Sequence, residues 1–330
     1  MSSAQGDGGE PADVGPLETP PPADPIGPLA PDDSLGWWPD ASLIGVALIW
    51  GINMPIMKLG LAGMDRFAFN ALRLSLSAAV LVPLAWREAP KPATPENPPL
   101  PRPEGLWKRV VVYAVIASGF YQWLFLLGIS NTTASNGSLI MATVPLWTAM
   151  LAWLLLGDRL RGWAWLGLAL VILGTLIVAV PQGGLAHGGR LLGNLYLLLA
   201  AMVWSLGTVL SRRVLPYFSP LRLAAISASL MLPFQFVLAG GGLGGVGPAL
   251  RDQRTWLPLI YSGVLSTGLA LPMWNYGVRW AGAPQAAAYQ NLVPAVALAT
   301  AWLALGEPVS ITQFLGGALI VGGLVLLRRR

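Results

Sequence analysis

Apolar residues run along this chain in blocks of about twenty, separated by short polar joints. A run of that length as a helix crosses a hydrocarbon core of about 30 Å. The blocks fall near residues 41–61, 67–86, 107–127, 134–156, 162–180, 191–211, 220–239, 256–277, 284–305 and 311–327. The pattern predicts an all-α integral membrane protein of ten transmembrane helices. Most joints are short, so consecutive helices are expected to be antiparallel neighbours. Residues 87–106 form a longer joint with seven prolines from Pro90 to Pro103, which forbid a helix and predict an extended surface loop. The run Gly240–Gly247 reads as a flexible connector, because no strand precedes it and no phosphate-loop lysine follows.

Composition agrees with that class. Of 330 residues, 55% are hydrophobic and 11% charged, against about 25% charged in a soluble domain. The first 36 residues differ: Asp7, Glu10, Asp13, Glu18, Asp24, Asp32 and Asp33 stand among many prolines, without lysine or arginine. They read as a disordered, acidic, Pro-rich tail, not as a secretory signal, which needs a basic start and an apolar stretch.

Charge placement sets the expected orientation. With the N-terminus in the cytoplasm, the inner joints hold Arg87, Lys91, Arg102, Lys108, Arg109, Arg159, Arg161, Arg212, Arg213, Arg279 and the closing Arg328–Arg330. The outer side keeps Lys58, Arg66, Arg190, Arg251 and Arg254. This bias puts both termini in the cytoplasm and requires an even number of spans. The net charge of +5 is thereby explained by topology, and nucleic acid is not an expected partner.

The chain also repeats itself. Val144–Gly174 and Val293–Gly323 share Pro145/Pro294, Trp153/Trp302, Gly157/Gly306, Gly167/Gly316 and Gly174/Gly323 at one offset of 149 positions, and Asp158 meets Glu307 there. Upstream, Trp50 and Trp204 open similar segments, and Lys58 aligns with Arg212. A repeat of five helices, residues 41–180 and 190–327, inserts its second copy upside down. Two inverted halves around a central cavity are the plan of many secondary transporters. The glycines, seven apart, share a helix face and predict close packing of the fifth and tenth helices.

Proline within an apolar block, then Trp-Leu-x-Leu-Gly-(Asp/Glu), a turn and a glycine-spaced last helix resembles the EamA domain of the drug/metabolite transporter superfamily. The motif stands twice, at Pro145…Gly157-Asp158 and Pro294…Gly306-Glu307. The resemblance covers residues 41–327. It implies ten helices around a cavity lined by the first, third, fourth, sixth, eighth and ninth. It also implies export of amino acids or other metabolites, while other similar proteins carry sugars or nucleotide sugars.

Candidate site residues follow from polar groups at depth. Pro145 and Pro294 release the carbonyls of Met141 and Gln290, which must find a partner or face a wet cavity. Trp50, Asn53, Trp204, Thr267, Trp274, Asn275, Tyr289, Gln290 and Asn291 are the expected cavity residues. Ser118, Tyr121, Gln122 and Trp123 of the third block, with Asn136 and Gln285, add polar or aromatic groups. Aromatics among neutral hydrogen-bonding groups suit a zwitterionic or aromatic solute. No Asp or Glu lies mid-block, which disfavours a carboxylate-coupled proton exchanger. Arg73 is the one deep charge, expected to pair with a carbonyl or to snorkel.

Other classes are narrowed. There is no cysteine, which excludes disulfides, thiol nucleophiles and thiolate metal sites. The single histidine, His187, lies in a joint and no G-x-S-x-G elbow exists. Carboxylate or Ser–Lys chemistry and a non-transporting scaffold stay open as alternatives. No catalytic residue, metal or cofactor is expected; the partners are a small-molecule solute and the bilayer. Monomer and homodimer are equally compatible with the sequence.

Overall fold

The computed structural model describes residues 37–88, 101–156, 162–179, 188–281, 286 and 289–328. The tail 1–36, most of the proline-rich joint, Asp158, His187 and Gln285 lie outside them. The described residues are helical, without a strand. In chain order the helices are α1 (Trp38–Gly63), α2 (Arg66–Arg87), α3 (Leu106–Asn131), α4 (Ala134–Leu155) and α5 (Gly162–Ala179). Then follow α6 (Gly188–Ser211), α7 (Pro220–Ala239), α8 (Gln253–Trp280), α9 (Leu292–Leu305) and α10 (Ile311–Arg328). Seven are long and apolar enough to cross a membrane; α5, α9 and α10 hold shorter apolar stretches. Large apolar side chains such as Trp86, Val237 and Leu303 point outward, while Asn70, Arg73 and Gln235 are buried. That distribution suits a lipid surround and a polar interior.

The helix ends are chemically marked. Asp65 opens α2 by accepting from the amides of Phe67 and Ala68, both at 3.0 Å. Thr133 caps α4 through Asn136 N at 3.1 Å, and Ser219 caps α7 through Arg222 N at 3.1 Å. Helix α9 closes on Gly306 at φ 64°, with Gly306 N bonded to Trp302 O and Glu307 N to Ala301 O. This is a left-handed (αL) helix cap, and glycine occupies its left-handed position without Cβ strain. The turn sends Glu307 back across the molecule to the start of α4. Its carboxylate accepts from Ala134 N and Ser135 N at 3.1 Å and from Ser135 Oγ at 2.8 Å. The Gly306-Glu307 pair of the motif's second copy therefore ends one helix and caps another.

Helices α5 and α10 pack against each other. A methyl added at Gly174 would lie 2.5 Å from Gly316 O, and one at Gly323 would lie 2.6 Å from Gly167 O. The glycine face expected from the spacing is this antiparallel contact. The connector expectation for Gly240–Gly247 is corrected. Gly240–Gly245 forms a 3₁₀ turn running into a helix at Val246–Arg251. Gly242 lies so close to the Asp65 side chain that a Cβ there would overlap it, so the glycines permit contact with the start of α2.

Two apolar clusters bracket the centre of the bundle. One gathers Leu43, Leu81, Val110, Leu223 and Val278 at the end holding the α1 N-terminus. The other gathers Met57, Phe69, Ile129, Leu259 and Ala301 at the opposite end. Tyr121 and Met141 pack on both.

Candidate functional site

Between these clusters lies a cavity with about 90 Å³ of space for the centres of water molecules. Four breaks in helical regularity build its wall. Helix α4 interrupts itself with a turn at 142–143, so Pro145 stands in the first turn of its second segment. The chain makes a corresponding turn at 290–291 before Pro294. Helix α3 widens to a π-helix at Val115–Phe120, and α8 does so at Tyr261–Leu269. Ser118-Gly119 and Thr267-Gly268 lie in these widened stretches, at the 149-position offset of the motif repeat. A π turn shifts the hydrogen-bond register and leaves carbonyls for side chains. Trp50 Nε1 donates to Ser266 O at 3.0 Å, Thr267 Oγ1 to Ser262 O at 3.0 Å, and Gln235 Nε2 to Ser118 O at 3.0 Å.

Of the expected residues, Trp50, Asn53, Trp204, Thr267 and Gln290 line this cavity. Asn53 Oδ1 accepts from Ser262 Oγ at 2.7 Å. The rings of Trp50 and Trp204 meet edge to face at 5.5 Å, and Tyr121 lies 4.7 Å from Trp204. Among the described residues, Trp204 Nε1 and Gln290 Oε1 are buried and have no hydrogen-bond partner. An unpaired donor and an unpaired acceptor on one cavity wall are what a polar solute would satisfy.

The other four do not line it. Trp274 is 2% exposed and packs tilted against the wall's rings, 5.5 Å from Trp50 and 6.1 Å from Trp204, without lining the cavity. Asn275 is buried and donates to Pro220 O at 3.4 Å. Tyr289 directs its hydroxyl to Asp40 Oδ1 at 2.6 Å, fastening the chain before α9 to the first turn of α1. Asn291 is half-buried within the turn.

The largest departure from expectation is Arg73. It does not snorkel, and the carbonyls it meets are those of side-chain amides; it is 2% exposed and lines the cavity. Its Nε donates to Asn70 Oδ1 at 2.9 Å, Nη1 to Thr267 Oγ1 at 3.1 Å and Nη2 to Gln122 Oε1 at 2.6 Å. Asn70 Nδ2 then donates to Gln235 Oε1 at 2.9 Å. Asn70 and Gln235 were the residues that sequence reasoning missed. For Asn70 a signal was available, because it stands three positions before Arg73 and so shares its helix face.

The EamA-like transporter family matches the chain twice, over residues 37–180 and 191–329. The chain belongs to that family. EamA-like transporters are membrane proteins, so the apolar helices make this an integral, multi-pass membrane protein that transports rather than catalyses. It is 28% identical over 290 residues to the "Probable amino-acid metabolite efflux pump" of Escherichia coli (strain K12), covering 85% of this chain and 91% of that protein. It is 27% identical to the "Probable terminal-alkyne amino-acid exporter" of Streptantibioticus cattleyicolor, covering 88% and 93%. A crystal structure with 18% sequence identity superposes at a TM-score of 0.55 over 88% of this chain and 96% of its own. That likeness concerns the fold alone.

Proposed function

We propose that this EamA-like transporter exports an amino acid or a similar small neutral or zwitterionic solute across the cytoplasmic membrane, by alternating access at its central cavity. In this reading ten helices span the bilayer as two inverted five-helix repeats, residues 41–180 and 190–327, with both termini cytoplasmic. The observation that carries it is the cavity wall. Trp204 and Gln290 from the second repeat, each with a buried and unpartnered polar atom, line one cavity with Trp50 and Asn53 from the first.

Inversion is supported by contacts that exchange partners under the repeat. Gly174 against Gly316 becomes Gly323 against Gly167 when each residue is replaced by its counterpart 149 positions away. Such mutual exchange is the mark of a two-fold axis between two copies. A second pair behaves likewise. Ser205 Oγ donates to Val144 O at 2.9 Å, and Gly51, beside Trp50 as Ser205 is beside Trp204, has Val293 O 3.1 Å from where its Cβ would be. The amino-acid assignment draws support from the names of the two relatives and from the aromatic and neutral polar lining.

Proteoliposomes loaded with labelled amino acids, sugars and nucleotide sugars test the proposal. Efflux of amino acids above that of protein-free vesicles is expected. Efflux of sugars alone would replace the solute class, and no efflux across the panel would overturn the transport reading.

A further inference from the structure

We infer that Arg73 is the seat of a carboxylate on the solute, a refinement that rests on the transport reading above. The guanidinium is a permanent cation, since it does not lose its proton in proteins. It is buried in the cavity wall, and no Asp or Glu lines that cavity. Its three hydrogen bonds go to side-chain oxygens of Asn70, Thr267 and Gln122, all neutral. These orient the charge without cancelling it.

Donor arithmetic points the same way. A guanidinium carries five N–H groups, and three are used by those bonds. One N–H remains on Nη1 and one on Nη2, without a partner among the described residues. Two donors on adjacent terminal nitrogens match the two oxygens of a carboxylate, the geometry for which arginine is suited. A buried charge left uncompensated is costly, so a counter-anion entering the cavity gains what the protein's own groups do not supply.

The chain contains its own comparison. Leu72-Arg73-Leu74 recurs as Leu221-Arg222-Leu223, again 149 positions on. Arg222 is partly exposed near the start of α7, and Glu88 lies 3.5 Å from its Nε. The surface arginine has an acid; the buried one facing the cavity has none. Close backbone approach fixes where Arg73 stands, because Gly263 of the α8 π-helix leaves 2.6 Å between a would-be Cβ and Arg73 O. Beyond the guanidinium, the Trp50, Trp204 and Tyr121 rings offer apolar faces to the body of the solute.

The test is equilibrium binding to the purified protein of three matched pairs: phenylalanine, leucine and threonine, each against its carboxamide. Charge-assisted bonds to one arginine predict that wild type prefers the acid by roughly 10- to 100-fold. Arg73→Gln should abolish that preference by weakening the acid and leaving the amide near its wild-type affinity; Arg73→Lys should retain part of it. A purely structural arginine would weaken acid and amide together, and that result overturns the inference. So does equal or undetectable binding of acid and amide by wild type. Repeating the measurement with methanesulfonate replacing chloride tests competition for the seat: an acid preference that persists or rises supports a carboxylate on Arg73, whereas one that vanishes overturns the inference. Binding with the acid preference but without vesicle efflux would leave the Arg73 assignment standing and sink the transport reading.

Discussion

Replacing Glu307 with alanine should loosen the beginning of α4, on the far side of the molecule in sequence. The carboxylate accepts three hydrogen bonds of 2.8–3.1 Å, two of them from the amides of Ala134 and Ser135. Both residues are buried at the start of a helix, where free amides and the helix dipole favour an anion. Hydrogen bonds to a charged group contribute about 1.5–3 kcal/mol each, and losing a cap costs about 0.5–2 kcal/mol. The terms overlap, so local opening should become easier by about 2–4 kcal/mol. Tenfold per 1.4 kcal/mol converts this to roughly 30- to 700-fold faster amide exchange at Ala134 and Ser135. Hydrogen–deuterium exchange with mass spectrometry, on peptides covering the α3–α4 joint, measures it directly. Glu307→Gln keeps one acceptor oxygen and should fall between wild type and alanine. Exchange at these two amides within twofold of wild type in Glu307→Ala would refute the capping argument.

Two further outcomes test the packing and the cavity. Gly316→Leu places a side chain against Gly174 O and Val178 and should cost about 1–3 kcal/mol by overpacking, read as a lowered unfolding midpoint in detergent. Gly322→Ala on the same helix meets nothing within 4 Å and should be near neutral, so equal effects of the two would contradict the α5–α10 contact. The chain has no native cysteine, which makes single-cysteine labelling clean: Thr267→Cys should react with a small water-soluble thiol reagent and be protected by solute. Asn275→Cys, one helical stretch further and outside the cavity lining, should resist, and reactivity at 275 without reactivity at 267 would displace the cavity from where it is described.

Helix extents were legible where an apolar run is closed by a chemical stop; the block expected at 284–305 instead continues as the helix Leu292–Leu305 only after the turn at 290–291. The block expected at 220–239 is the helix Pro220–Ala239, opened by its Ser219 cap. The faces of those helices were less legible. Depth singled out Thr267, Trp274 and Asn275 together, yet which side of α8 meets the cavity depends on how the π-helix rotates the residues after it, and composition does not encode that rotation. Trp274 consequently packs against Trp50 without lining the cavity. Arg73 was misjudged for a related reason. A snorkelling arginine needs only a route along its own helix, whereas the observed cradle is assembled from α2, α3 and α8, residues far apart in sequence. Glu307 reads from sequence as a helix-end acid with a capping or loop contact, but the sequence does not say which helix it caps, because such an acid looks the same whether it caps its own neighbour or a helix from the other half.

The neutral cradle around Arg73 also bears on how a membrane voltage would act on the cycle. With no acid in the cavity wall, the unloaded site carries one positive charge. A simple monocarboxylate cancels that charge on binding, whereas a zwitterion leaves it in place. Moving one charge through the full potential involves about 2.3 kcal/mol per 100 mV. Voltage would then bias the return of the empty carrier when the cargo is an acid, and both half-cycles equally when it is a zwitterion. The same three oxygens that hold the guanidinium in position thus leave its charge exposed to the electric field.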